Sequence, residues 1–182
     1  MTRASKTARM DLLRTRNRHR VRKSVLRAPG RRPNPKVILG EAMEPEAFVI
    51  DAQMVLSRFG EWPHFHDMEV VSLNLDRGGA DGPSVEFVVL AWNYTGRIAP
   101  EGHYEQATHS LIRFRCENVS SNHFDDFNHQ NVLDDLEFTQ TADGVEVCLP
   151  PIYGVGGSLI CKRVRVVDVV PATRNGQPAD KG

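Results

Sequence analysis

The chain has few cysteines, no long apolar run and no recognisable catalytic signature. Its three cysteines, Cys116, Cys148 and Cys161, form no CxxC pair and are odd in number. Each sits in a strand-like stretch, where a free cysteine behaves as a small buried hydrophobe, and the pattern fits a reducing cytoplasm. No apolar stretch approaches the ~18 residues of a membrane helix, and no hydrophobic signal core follows the basic start. Membrane insertion and secretion are therefore not expected. A G-x-S-x-G elbow is missing, and no cysteine stands at a helix start where a thiolate would be stabilised. Gly154-Val155-Gly156-Gly157-Ser158 is glycine-rich but leads into a strand, so it lacks the helix dipole that would hold phosphate. It reads as a flexible turn, with Tyr153 capping core or interface. There is no internal repeat.

What the chain does have is a sharp division of charge behind a formal net of +0. Residues 1–36 carry 13 Lys+Arg against one acid, Asp11, whereas residues 37–182 carry 10 against 22 acids. Such asymmetry marks a tail with a different job from the globular part. The tail offers little core material, and Pro29-Gly30-Arg31-Arg32-Pro33-Asn34-Pro35 breaks any helix and reads as a linker. Like charges and few apolar groups cannot offset the entropy of ordering, so disorder is expected before about residue 40. Three readings of this segment stand side by side. It is a phosphate-binding arm, an Arg-rich transit segment, or a stretch outside the working protein, with Met43-Glu44-Pro45-Glu46 as the true start. The expected division is a basic tail over 1–42, one domain over 43–172 and a disordered tail over 173–182. Some 130 residues is a normal size for one domain with its own core.

Within that domain, Pro45 at a first-turn position and Gly60 after the end delimit a helix. Phe48, Ala52, Val55, Leu56 and Phe59 give it one apolar face. Six strand candidates follow, over Glu69–Asp76, Ser84–Trp92, Thr108–Glu117, Asp135–Thr141, Val145–Leu149 and Ser158–Val170. Asp143-Gly144 predicts a tight hairpin, because both turn positions favour positive φ. Ser110, Ile112, Phe114 and Cys116 alternate with Leu111, Arg113 and Arg115, the signature of a sheet with one buried face. No helix between strands is long enough for parallel crossovers. The fold class is mainly β (α+β): a single antiparallel β-sheet domain of about six strands, with a short N-terminal helix packed on it. One helical turn is expected near Asn128 to Asp134.

The densest chemistry lies in Glu61 to Val70, EWPHFHDMEV, where an indole, a proline, two imidazoles, a phenyl ring and three carboxylates meet. On a strand, His64 and His66 would point the same way and could reach one metal ion with Asp67 or Glu69 near, as in a metal-dependent hydrolase. Further ligands are needed, and His103, His109, His123 and His129 form no second motif. The structural alternative has Trp62 and Phe65 packing while Asp67 accepts buried backbone N–H groups and holds the imidazole of His66. No metal or other cofactor is expected. Phe127-Asn128-His129-Gln130-Asn131 places four hydrogen-bonding side chains in a row, either to grip a partner or to fix a buried turn, with the second favoured.

Acid clusters put negative charge on the later loops: Asp125 and Asp126, then Asp134, Asp135 and Glu137. Residues 37–171 carry 8 Lys+Arg against 21 acids, a net of −13. Solubility alone explains such a surface. It also suits a cover for a basic partner, such as a nuclease whose site expects phosphate. An acidic domain behind the basic arm argues against nucleic acid as the partner.

The helix ending at Phe59-Gly60, then Trp62, Pro63, Phe65, His66, Asp67 and Glu69, resembles the immunity protein 50 family, one of those that protect bacteria against polymorphic toxins. Further matches are Phe127, Asn128, Gln130 and Asn131, and the Tyr153-Gly154, Gly157-Ser158 and Cys161-Lys162-Arg163 region. The resemblance spans about residues 46–171. Because it begins just after Met43, it favours the reading that puts the basic segment outside the working protein. It implies a cytoplasmic binding protein that neutralises a toxin; the chain is accordingly expected to be non-enzymatic, a monomer when free, and partnered by a cognate toxin domain encoded nearby. Asp125, Asp126, Asp134 and Asp135 are the acids expected to face the toxin.

Overall fold

Alternation of apolar and polar residues drives the architecture. In the computed structural model, which describes residues 43–79 and 82–179, Ser110, Ile112, Phe114 and Cys116 are all fully buried. Between them Leu111, Arg113 and Arg115 lie partly exposed on the opposite face of the strand. The basic segment and its expected disorder fall outside the described residues.

Ten strands are described, in two sheets. Strands β1 (Glu69–Asp76), β2 (Ser84–Ile98) and β3 (Tyr104–Glu117) lie beside β5 (Val132–Leu133), β8 (Pro151–Tyr153) and β10 (Arg163–Pro171), in the order β10-β3-β2-β1-β5-β8. The second sheet holds β4 (Ser121–Asp125), β6 (Glu137–Thr141), β7 (Gly144–Leu149) and β9 (Gly156–Cys161), in the order β4-β9-β7-β6. All strand pairs are antiparallel. The mainly-β antiparallel class with a small helix therefore holds, built as ten strands in two sheets and not about six in one.

The faces of the two sheets meet on aromatic rings. Phe87 stacks on Phe114 at 5.2 Å within the larger sheet, and Phe138 of the smaller sheet lies 5.4 Å from the same Phe114. Phe114 meets the rings of Trp62, Phe65, Phe87 and Phe138, so its replacement by alanine should cost roughly 3–5 kcal/mol. The long strand expected over Ser158–Val170 breaks at Lys162, where the chain leaves one sheet for the other. Its N–H there donates to the Glu117 carbonyl at 3.0 Å. The Glu117 carboxylate is almost wholly buried and takes Arg163 Nε at 2.9 Å and Arg165 Nε at 3.2 Å. The three cysteines fall on β3, β7 and β9 as free thiols; Cys116 and Cys161 are buried and Cys148 is half-buried.

Four expectations need correction. The N-terminal helix is divided into a 3-10 turn over Pro45–Ala47 and the helix α1 over Gln53–Phe59. Between them the backbone of Ile50 is captured by β10: its N–H donates to Val164 O at 2.9 Å, and its carbonyl accepts from Val166 N–H at 2.9 Å. Sheet bonding thus overrides the helical pattern, and Val49 is buried while Phe48 is only partly so. Near Asn128 to Asp134 there is no helical turn, because Val132 and Leu133 pair with β8. The hairpin closes at Thr141↔Gly144, so its turn residues are Ala142 and Asp143. Finally, residues 173–179 are bonded back onto the sheet: Ala172 bridges Pro178, and Ala179 N–H donates to Pro171 O at 2.8 Å.

Candidate binding surface

The segment Glu61 to Asp67 is loop and turn, with the strand beginning at Glu69. Trp62 lies edge-on to Phe65 (6.2 Å) and Phe138 (5.8 Å) and tilted on Phe114 (6.2 Å), while Pro63 and Phe65 are buried. Trp62 and Phe65 thus pack into the aromatic cluster between the two sheets. Glu69 is half-buried, and its backbone lies between Leu90 of β2 and Val132 of β5.

The imidazoles diverge. His64 lines a concavity with Glu61, Trp62, Asp135 and Glu137, whereas His66 lines a different one with Asp67, Tyr94, Gly96 and Tyr104. Strand geometry does not hold here, so the pair is not brought to a common point. Among the described residues no group of three or more His, Cys, Asp and Glu is placed to share a metal ion.

His66 works instead as an exposed clasp. Its Nδ1–H donates to the Asp134 carbonyl at 3.0 Å and lies 3.2 Å from the Asp134 carboxylate, while Nε2 sits 3.7 Å from Asp67 Oδ1. The backbone bond to Asp134, then the charge of Asp67, hold its pKa above the ordinary 6.5. The Asp67 carboxylate is about half exposed and faces His66, so it does not collect buried N–H groups. The anchor is its backbone, with φ of 65° and an N–H that donates to Leu133 O at 3.0 Å.

Asn131 is the centre of a second arrangement. It is 3% exposed, and every hydrogen-bonding position of its carboxamide is used. Oδ1 accepts from the N–H groups of Asn128 and Val155, each at 3.0 Å. Nδ2 donates to Asn128 O at 2.8 Å and Val70 O at 3.3 Å. One side chain thus ties together the Phe127 loop, the start of β1 and the turn after Tyr153. Asn128 adds bonds to Asp126 O and from Gln130 N–H. Gln130 itself is exposed. Of the motif's polar side chains, Asn128 and Asn131 are spent on fixing the loop. Gly154 belongs to the same unit: at φ of 76°, a Cβ would run into the Gln130 carbonyl and lie 2.7 Å from Asn131 Oδ1.

The fixed loops carry apolar side chains outward. Phe127, Ile152 and Tyr153 are about half exposed and line one concavity of about 540 Å³ with Asp126, Asn128, Pro151 and Gly154. The four singled-out acids have different surroundings. Asp125 lies 2.8 Å from His123 Nε2, Asp134 pairs with His66, and Asp135 Oδ1 accepts from Leu136 N–H at 2.8 Å. Asp126, at φ of 58°, has no described cation beside its carboxylate.

Sequence reasoning missed Ile152 and the exposed Tyr94, Ile98 and Tyr104. The last three lie on the part of the β2–β3 hairpin beyond Trp92, where Tyr94 and Tyr104 meet edge-on at 6.0 Å. Their signal was the two tyrosines flanking Gly96 and Gly102 symmetrically, which marks a hairpin tip. Within this frame, the family model for immunity protein 50 matches residues 51–172. No curated protein and no solved structure matches the chain.

Proposed function

Because this chain belongs to the immunity protein 50 family, we propose that it binds a cognate bacterial toxin domain, encoded beside it, and neutralises it by covering its working surface. The family match carries this reading, because residues 51–172 include every sheet of the fold as well as the clasp and the Asn131 loop. The surface is consistent with it. Its motif residues His66, Asn128 and Asn131 are engaged in framework bonds, and its outward side chains include exposed aromatics with acids beside them, which suits an apolar contact with a polar rim.

The toxin is proposed to be basic, such as a nuclease, since residues 37–171 carry a net of −13. The protein acts without turnover, as a monomer when free, in the cytoplasm, where unpaired thiols such as its three cysteines persist. Among the described residues, no helix is long and apolar enough to cross a membrane. Co-expression with the neighbouring toxin domain tests the reading. Growth should be rescued, and the two chains should co-purify as a stable complex. Folded protein that leaves the toxin active and does not bind it at micromolar concentration would defeat it.

A further inference from the structure

The two motif segments 127–131 and 153–154 are far apart in sequence, yet they form one outward platform. Pairing of Val132 with Tyr153 sets them side by side, and the Asn131 carboxamide bonds both. The Asn131 amide is buried and Asn128 is tied to its own loop, so the platform shows the solvent Phe127, Ile152 and Tyr153, exposed by 50%, 50% and 52%. Three large apolar side chains around one concavity are seldom left in water without use. This backbone is also fixed beforehand, so a partner would lose little loop entropy on docking.

The rim specifies the occupant. Asp126 lines the concavity with no described cation at its carboxylate, and Asp125 next to it meets only His123. No described Lys or Arg pairs with either. A second copy would bring the same acids against these, and a nucleic acid would bring phosphates. A protein segment with an apolar side chain flanked by Lys or Arg satisfies both centre and rim.

Resting on the immunity reading, we propose that Phe127, Ile152 and Tyr153, rimmed by Asp126, form the toxin-binding hot spot, and that the toxin seats there an apolar side chain flanked by basic ones. The Tyr94–Tyr104 arm is the competing surface. It is an exposed hairpin with register irregularities between Ala91 and Asn93 and between Tyr94 and Ile98, and it lacks the Asn131 type of brace.

The test uses the full chain and a catalytically inactivated form of the toxin domain encoded beside it. Binding is measured for wild type, Phe127→Ala/Tyr153→Ala, Ile152→Lys, Asp126→Asn and Tyr94→Ala/Tyr104→Ala, each checked for an unchanged melting temperature. The double platform variant should weaken binding on the order of 100-fold. Ile152→Lys should weaken it as well, and the arm variant should stay within about fivefold of wild type. Wild-type binding that both platform variants leave unchanged overturns the hot spot and leaves immunity standing. A loss confined to the arm variant does the same. An Asp126→Asn protein that binds as well as wild type overturns the basic flank. Wild type that does not bind overturns both readings, and concentration-dependent dimerisation abolished by Ile152→Lys overturns the choice of occupant.

Discussion

A single carboxamide, that of Asn131, makes all four of its hydrogen bonds to backbone groups, and those to Val70 O and Val155 N–H are buried away from water. Asn131→Ala should therefore cost roughly 1–3 kcal/mol in urea unfolding, the usual penalty for leaving buried groups unpaired. Asn131→Asp should also destabilise, since a carboxylate cannot donate to Val70 O and Asn128 O; melts superimposable on wild type would contradict this role. His66 offers a different residue-level prediction. The Asp134 carbonyl, then the Asp67 and Asp134 carboxylates, raise its pKa above 6.5 in the folded chain. The folded state thus holds the proton more tightly than the unfolded one. Its contribution to stability is full below 6.5 and is lost as pH rises through the raised value. An imidazole titration followed by NMR should place His66 above 6.5, and a value at or below 6.5 would dissolve the clasp. In the sequence, the presence of chemistry at His66 and Asn131 was legible, but its direction was not. Whether an amide points inward or a histidine reaches Asp134 depends on which loops pack together, and the partners that decide it, Val155, Val70 and Asp134, lie 24 to 68 positions away.

Elements were legible where their own residues carry the pattern. Strands β3 and β7 alternate, β2 carries a long apolar run, and β1 and β6 are short β-rich stretches; each was read within a few positions except where β2 and β3 run on into the arm. The others borrow their structure. Strands β5 and β8 hold two and three residues and exist because they pair with each other; β4 is polar and is held by β9. Ile50 leaves a plausible helix because β10 offers its backbone two bonds. The β6–β7 hairpin was legible from Asp143-Gly144, with its turn one residue earlier than read, and the reason for the glycine lies in the sheet. At Gly144, with φ of 144°, a Cβ would run into the Cys161 carbonyl of β9 and lie 3.1 Å from the Cα of Lys162. Gly102 has φ of 87° and nothing within 4 Å. Gly102→Ala should cost only the left-handed backbone penalty of roughly 1–2 kcal/mol. Gly144→Ala adds a clash worth about 1–3 kcal/mol more. Equal denaturation midpoints for the two variants would show that close approach to β9 does not decide that position.

At the scale of the whole molecule the formal charge is zero, but beyond the basic segment residues 37–171 carry a net of −13, a property no single contact explains. A field of this size acts on a basic partner before contact, so it should govern association more than dissociation. Between low salt and physiological ionic strength the screening length shrinks to about 8 Å. The association rate with the toxin domain should fall markedly over that range while the dissociation rate changes less. The structure also ranks the acids. Asp134 and Asp135 are partly engaged, with His66 and with Leu136 N–H, whereas Asp126 is open to an incoming cation. Asparagine at 125, 126, 134 and 135 keeps an oxygen acceptor for the Leu136 N–H, so the fourfold variant should fold. It should associate more slowly and with a flatter salt dependence, and Asp126→Asn alone should supply more of the change than Asp135→Asn. Stopped-flow or surface-binding rates at several salt concentrations read all of this directly. Rates indifferent to salt would leave a toxin contact driven by the apolar platform and would remove the basic partner. An equal effect from Asp126 and Asp135 would show that the field acts as a whole and that the rim of the platform has no special part in it.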